Sequence, residues 1–205
     1  MPDDGHVLRV FRFRPVVPEF DGFMRAEMLP NVRGLPGLLA VHAGRRDLES
    51  GADRIVATVW ESREAMIASV GASLEQSPFY PDRLAQTVDR ALDTLDIRIE
   101  LPFSTAEPPA LLRLFRGRVR PGELEDYVSE VRTGTLADAE AGRGPTVLYL
   151  ATDPPDDFVT VSLWPSWEAI ALATGGDIER PTITKDSRRL VGIDVAHFEI
   201  VREAS

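Results

Sequence analysis

The chain has 205 residues, of which 43% are hydrophobic, and a formal net charge of −10. This acidity argues against partners that carry phosphate, both nucleic acids and anionic membranes, because like charges repel. No apolar run is long enough to cross a bilayer. The absence of cysteine excludes disulfides, thiolate nucleophiles and cysteine metal sites.

The N-terminal segment MPDDGHVLRV is acidic and lacks the basic flank and apolar core of a signal peptide. A cysteine-free chain of this kind fits a reducing compartment. We therefore expect a cytoplasmic protein.

Three segments of the sequence recur in the same order, which indicates duplication of one whole unit. They are VLRVFRFR at 7–14 and LLRLFRGR at 111–118, WESREAMI from Trp60 and WPSWEAIA from Trp164, and LDIRIE from Leu95 and IDVAHFE from Ile193. The duplication predicts one repeat over 1–101 and a second over 111–205. The proline-rich segment 102–110 is the predicted linker.

The start of each repeat predicts a strand followed by an amphipathic helix. In 7–14, alternation places Leu8 and Val10 on one face and Arg9, Phe11 and Phe13 on the other. A helix should then begin near Pro18 and end at Pro30, because proline interrupts helical hydrogen bonding. In the second repeat the helix should begin near Pro121 and bury an apolar stripe of Leu124, Tyr127, Val128 and Val131.

The middle of each repeat predicts a hairpin and a second helix. Strands are expected at 36–44 and 53–60, and again at 144–152 and 157–164, joined by the short connections RDLESGA and DPPD. Ser62 and Ser166 are predicted helix N-caps.

The end of each repeat predicts a last strand, at about 95–101 and 193–202. In the first repeat a further helical segment is expected from Pro81, because Leu84, Val88 and Leu92 are in helical phase.

The resulting order, β-α-β-β-α-β twice, is that of two tandem ferredoxin-like units, an α+β fold. In such a unit one sheet face carries the helices, and the other usually meets water and alternates in polarity. Here both faces of IVATVW and TVLYLA are apolar. We therefore expect the two antiparallel sheets to pack face to face, as an intramolecular dimeric α/β-barrel.

The strand order and the WES-x-EA junction, seen as WESREA and WPSWEA, resemble the antibiotic biosynthesis monooxygenase (ABM) family of the dimeric α/β-barrel superfamily. The resemblance implies cofactor-independent oxygenation of aromatic polyketides in some members, haem degradation in others, and no known activity in many. Haem-degrading relatives use an asparagine on the first strand and a tryptophan and a histidine on the second helix. That set is not matched here.

Five residues are candidates for a site. His42, whose ordinary pKa lies near neutrality, and Tyr80 are the candidate catalytic residues. Arg9, Arg113 and Trp167 are the candidate substrate-binding residues; the two arginines occupy equivalent positions, on the side that we expect to face the barrel. Buried arginine needs a carboxylate partner or an anionic ligand, so a salt bridge is the alternative role. The three histidines are scattered, and we expect no metal site and no cofactor.

The sequence thus predicts an ABM-like barrel that binds or oxygenates a small aromatic molecule, as a monomer or a homodimer. The alternatives are a non-catalytic, stress-associated or interaction barrel and, less well supported, haem binding or degradation.

Overall fold

The first half of the chain forms strand, helix, hairpin, helix and strand in a computed structural model, which describes residues 5–49, 51–74, 76, 81–103, 107–153, 155–180 and 189–203. The elements are β1 (Val7–Pro15), α1 (Phe20–Phe23), a π-helical turn (Met24–Met28), α2 (Leu29–Arg33), β2 (Leu38–Leu48), β3 (Gly51–Trp60), α3 (Arg63–Val70), α4 (Pro81–Leu84) and β4 (Thr87–Pro102).

The second half repeats this order with a single first helix. Its elements are β5 (Leu111–Val119), α5 (Leu124–Glu140), β6 (Val147–Asp153), β7 (Asp157–Trp164), α6 (Trp167–Thr174) and β8 (Leu190–Val201). Hydrogen bonding links the eight strands in the order β1-β3-β2-β8-β5-β7-β6-β4, which is that of a closed barrel. The predicted α+β fold with an antiparallel barrel is confirmed.

The chain divides into two compact units. We call the one formed by residues 5–95 with 198–203 the N unit, and the one formed by 96–197 the C unit. The long strands β4 and β8 each contribute one segment to each unit. The predicted repeat boundaries, 1–101 and 111–205, describe the duplicated sequence and stay a prediction.

Strand pairing is the same in the two units. Val7 pairs with Trp60 and Arg9 with Thr58 across β1 and β3, whereas Leu111 pairs with Trp164 and Arg113 with Ser162 across β5 and β7. In each unit the indole Nε1 of the repeated tryptophan donates a 2.9 Å hydrogen bond to the hydroxyl two residues earlier, that of Thr58 or of Ser162. The repeated sequence segments therefore occupy equivalent positions.

The predicted N-caps of α3 and α6 are confirmed. The backbone N–H of Ala65 donates to the Ser62 hydroxyl at 3.1 Å, and that of Ala169 donates to the Ser166 hydroxyl at 3.3 Å, so both serines are N-caps. No helix among the described residues has the length and apolar character needed to cross a membrane.

Two predicted element ends are wrong. The first helical region does not end at Pro30 but continues to Arg33, because Pro30 lies at the start of α2, where a missing N–H is tolerated, directly after the π-helical turn. The helix from Pro81 ends at Leu84. There the Thr87 hydroxyl donates to the Leu84 carbonyl at 2.7 Å, and the chain continues as a strand.

The first hairpin is also tighter than predicted. β2 extends to Leu48 and β3 begins at Gly51, so most of RDLESGA lies in the strands themselves.

Candidate functional site

The N unit contains a cavity of about 120 Å³ between its sheet and its first helical region. Apolar and aromatic side chains form most of the wall, with two arginines and one threonine. The lining residues are Arg9, Phe11, Phe13, Phe20, Phe23, Met28, Val32, Val56, Thr58, Trp60, Val70, Leu74, Arg83 and Leu84.

Because side chains alternate along a strand, every second side chain of β1 from Arg9 to Phe13 faces this cavity. Arg9, Phe11 and Phe13 share a face, and their partners on β3 include Thr58 and Val56. This face carries the helices. The expectation that Arg9 lies on the helix-free, barrel-facing side is therefore wrong, because both faces of these strands are apolar and alternation alone cannot tell them apart.

The polar part of the cavity is built around Arg9. Its Nη1 donates to the carbonyl of Gly71, at the end of α3, at 2.6 Å. The Thr58 hydroxyl accepts from Trp60 Nε1 and donates to the Arg9 carbonyl at 3.3 Å. These two hydrogen bonds connect the Trp60 side chain, through the Thr58 hydroxyl, to the backbone of Arg9.

The charge of Arg9 is not balanced by a carboxylate within the described part of the chain. Its side chain is only 6% exposed, and burial lowers its pKa. A buried guanidinium is costly unless its charge and its N–H groups are satisfied. Among the described residues, the Arg9 guanidinium thus has a neutral carbonyl as its hydrogen-bond acceptor.

A second cation lines the same cavity from α4. The guanidinium carbon of Arg83 lies 4.7 Å from the centre of the Phe23 ring, a cation–π contact. Its Nη1 donates to Gln86 Oε1 at 3.2 Å. The cavity wall therefore carries two guanidinium groups and, among its described residues, no acidic side chain.

The equivalent region of the C unit is filled by aromatic rings. Where the N unit has the strand pair Phe13 and Arg54, the C unit has Gly117 and Phe158. The Phe158 ring lies over Gly117 and packs against Phe115 and Tyr127, with ring centroids 5.2 and 4.6 Å away. At this strand pair the phenylalanine is on β1 in the N unit and on β7 in the C unit. In the C unit its ring occupies the region that corresponds to the N-unit cavity.

Arg113, the equivalent of Arg9, is held by neutral acceptors. Its Nη2 donates to the carbonyls of Ile178 at 3.3 Å and Arg180 at 2.5 Å, and its Nε donates to His197 Nε2 at 3.2 Å. Burial lowers its pKa to about 10, and the nearby Glu179 opposes this shift. Because His197 Nε2 accepts this bond, the neutral imidazole carries its proton on Nδ1.

The five predicted site residues do not form one cluster. Arg9 lines the cavity of the N unit, whereas Arg113 and Trp167 both contact His197 in the C unit, with the Trp167 and His197 ring centroids 5.1 Å apart. Tyr80 lies outside the described residues. His42 pairs with Ala57, which alternates with the cavity-lining Val56 and Thr58, so it lies on the opposite face of the sheet.

The environment of His42 makes it a poor proton acceptor. Burial, with a contribution from the positive charge of Arg33, lowers its pKa to about 4. A general base works best with a pKa near the operating pH. The catalytic role of His42 stays a prediction, and this pKa does not favour it.

Sequence reasoning missed Thr58, Arg83 and the first helical region as parts of the site. A signal for Thr58 exists, because a hydroxyl residue stands two positions before the repeated tryptophan in both halves. Arg83 belongs to no local motif that would have marked it. Only the folded chain brings it to Phe23.

The described part of the chain offers no group of three or more acidic, histidine or cysteine side chains placed to hold a metal ion. The described residues around the cavity include no histidine either, so they present no imidazole to a haem iron. The chemistry available there is that of arginine, hydroxyl and aromatic groups.

No family model matches the chain, and neither does any curated protein. Solved structures do match over nearly the whole length. A candidate monooxygenase from Fusobacterium nucleatum is 12% identical, with a TM-score of 0.74, and the match covers 97% of this chain and 93% of that one. An anthrone oxidase-like protein is 15% identical, with a TM-score of 0.62 and coverages of 98% and 94%.

A third match is a ferredoxin-fold protein from Listeria monocytogenes that is related to antibiotic biosynthesis monooxygenases. It is 11% identical, with a TM-score of 0.54, and the match covers 94% of each chain. At such identities the likeness shows the fold alone. The chain has the dimeric α/β-barrel fold of the ABM-like proteins, as the sequence predicted.

Proposed function

We propose that the N-unit cavity binds a small aromatic molecule through an acidic oxygen on Arg9, and that the protein oxygenates this molecule with O₂ and no cofactor. The observation that carries the proposal is the buried Arg9 guanidinium, without a carboxylate partner among the described residues, at an aromatic-lined cavity. Pockets that combine an apolar wall with a few polar groups are typical small-molecule sites.

The size of the cavity favours a single ring at its inner end. A volume of about 120 Å³ is close to that of engineered cavities, of about 150 Å³, that hold benzene. Phe11, Phe13 and Phe23 line the cavity and supply aromatic surface for contact with that ring. A larger polycyclic ligand would extend past these residues, through the mouth of the cavity.

The proposed chemistry relies on the acidity of the substrate. The described lining offers no carboxylate or imidazole base, so water must be able to take the proton from the reacting carbon. Arg9 then stabilises the resulting enolate oxygen, because a fixed cation in an apolar site stabilises developing negative charge. O₂ adds to the carbanion; overall a CH₂ group and O₂ give a carbonyl group and water.

The comparisons support this reaction class, because a candidate monooxygenase and an anthrone oxidase-like protein share the fold. They do not identify the substrate of this chain, since one fold hosts many activities. A protein that binds the aromatic ligand but consumes no oxygen would match the alternative of a non-catalytic barrel. We place the protein in the cytoplasm, consistent with its lack of cysteine, and leave monomer and homodimer as its two candidate states.

Oxygen uptake with anthrone as the probe tests the proposal. The wild type should consume oxygen above the uncatalysed rate, and Arg9→Gln should lower this excess by about a hundredfold, the usual cost of one oxyanion donor. Arg113→Gln is the matched control, because it removes the same charge from the equivalent position of the other unit. Uptake that is equal in all three proteins, or unchanged from buffer, would refute the oxygenase.

A further inference from the structure

We infer that the natural ligand of the N-unit cavity is an aromatic molecule with two negatively charged groups, one for Arg9 and one for Arg83. The inference rests on the proposed binding function and adds the chemical class of the ligand. It makes Arg83 a specificity-determining residue. Nothing in the chemistry above requires this second cation.

Arg83 is presented by a well-anchored turn. The carbonyl of Gln86 accepts a 2.9 Å hydrogen bond from the Val16 backbone N–H, and the Thr87 hydroxyl closes the end of α4 on the Leu84 carbonyl. The side chain lies against the Phe23 ring. The turn and the stacking partner are both part of the cavity wall, so both contacts place the Arg83 charge at the cavity.

The two cavity arginines differ from their neighbours in how their charge is balanced. Elsewhere in the N unit, Arg14 and Arg46 pair with Asp53 at 3.4 and 2.7 Å, and Arg54 pairs with Asp21 at 2.6 Å. Among the residues that the structure describes, neither Arg9 nor Arg83 has a carboxylate within salt-bridge distance.

The positive charge at the cavity is opposite in sign to the net charge of the protein. A chain with a formal net charge of −10 places two guanidinium groups, neither paired with a carboxylate among the described residues, on one small, largely apolar cavity. A ligand with a single acidic group can pair with only one of the two guanidinium groups. A ligand with two acidic groups on one ring satisfies both, and guanidinium forks are well shaped for carboxylates.

Simple benzene derivatives test the inference. Calorimetric titrations of the full-length protein with benzamide, benzoate and the three benzenedicarboxylates vary the charge while keeping one ring. We expect benzoate to bind more tightly than benzamide, and the best-fitting dicarboxylate to bind about tenfold more tightly than benzoate, which is a typical gain for one added charge pair in a partly buried site. This comparison uses the wild type and needs no variant.

Variants then assign the second charge. Arg83→Met should reduce the preference for the dicarboxylate over benzoate to about twofold, and Arg83→Lys should restore part of it, because the charge returns without the fork. Arg90→Gln, at an exposed site of the same unit, changes the net charge equally and should leave the preference intact.

The results separate this inference from the function on which it rests. If benzoate binds at Arg9 and no dicarboxylate binds more tightly, the ligand class is wrong and the aromatic site stands. If Arg83→Met keeps the wild-type preference, Arg83 is not the second partner. If none of the probes binds, the proposed function fails as well.

Discussion

The hydroxyl of Thr58 should stabilise the fold through the two groups that it joins. It accepts from Trp60 Nε1 at 2.9 Å and donates to the Arg9 carbonyl at 3.3 Å, and the Trp60 side chain is only 1% exposed. Thr58→Val keeps the shape and removes both bonds. The indole N–H is then buried without a partner, which costs about 2 kcal/mol.

Thr58→Ser is the matched variant, because it keeps the hydroxyl and loses one buried methyl group, at a cost of about 1 kcal/mol. For a chain of this length 1 kcal/mol corresponds to roughly 2–4 °C in Tm, so Thr58→Val should melt about 4–8 °C below the wild type. Thermal unfolding followed by circular dichroism measures both variants. If Thr58→Val is as stable as Thr58→Ser or more so, the two hydrogen bonds of the Thr58 hydroxyl do not stabilise the fold by about 2 kcal/mol.

His42 and the crowded position of Gly44 give two further tests. The pKa of His42 is lowered from 6.5 to about 4, so protonation favours the unfolded chain, and roughly 3 kcal/mol of stability should be lost as the pH falls from about 6.5 to about 4. His42→Gln should flatten that part of a pH series of urea unfolding curves, and an unchanged slope would contradict the assignment. Gly44→Ala places a Cβ 2.6 Å from the Phe198 Cβ and should cost about 1–3 kcal/mol in the same assay. Gly34→Ala, whose Cβ meets nothing closer than 3.6 Å, should stay within about 0.5 kcal/mol; equal effects would show that the crowding at Gly44 is unimportant.

Local signals in the sequence predicted the order of elements because they act over a few residues. The serine N-caps and the apolar stripe of α5 need only neighbouring positions, and the two copies gave independent readings. The spacing of Leu84, Val88 and Leu92 led to a predicted helix that is too long. Apolar residues four apart can also occur by chance in a strand, whose pairing depends on other parts of the chain. Val88 and Leu92 belong to β4.

The site was harder to predict because it depends on contacts that no short segment contains. Arg9 was recognised as a residue of interest, but both faces of β1 are apolar, so the sequence could not show which face carries the helices. One difference between the units lies at the pair Gly117 and Phe158, whose members are on different strands. Repetition in the sequence suggested two equivalent arginines, and the structure gives them different surroundings.

On the proposed function, an aromatic anion binds in the N unit at Arg9 and not at its counterpart Arg113. A crystal structure of the protein soaked with benzoate tests this most directly. The ring should lie among Phe11, Phe13 and Phe23, with a carboxylate oxygen about 3 Å from the Arg9 guanidinium. Benzoate bound at Arg113, or a cavity that stays free of it at saturating concentration, would contradict the claim.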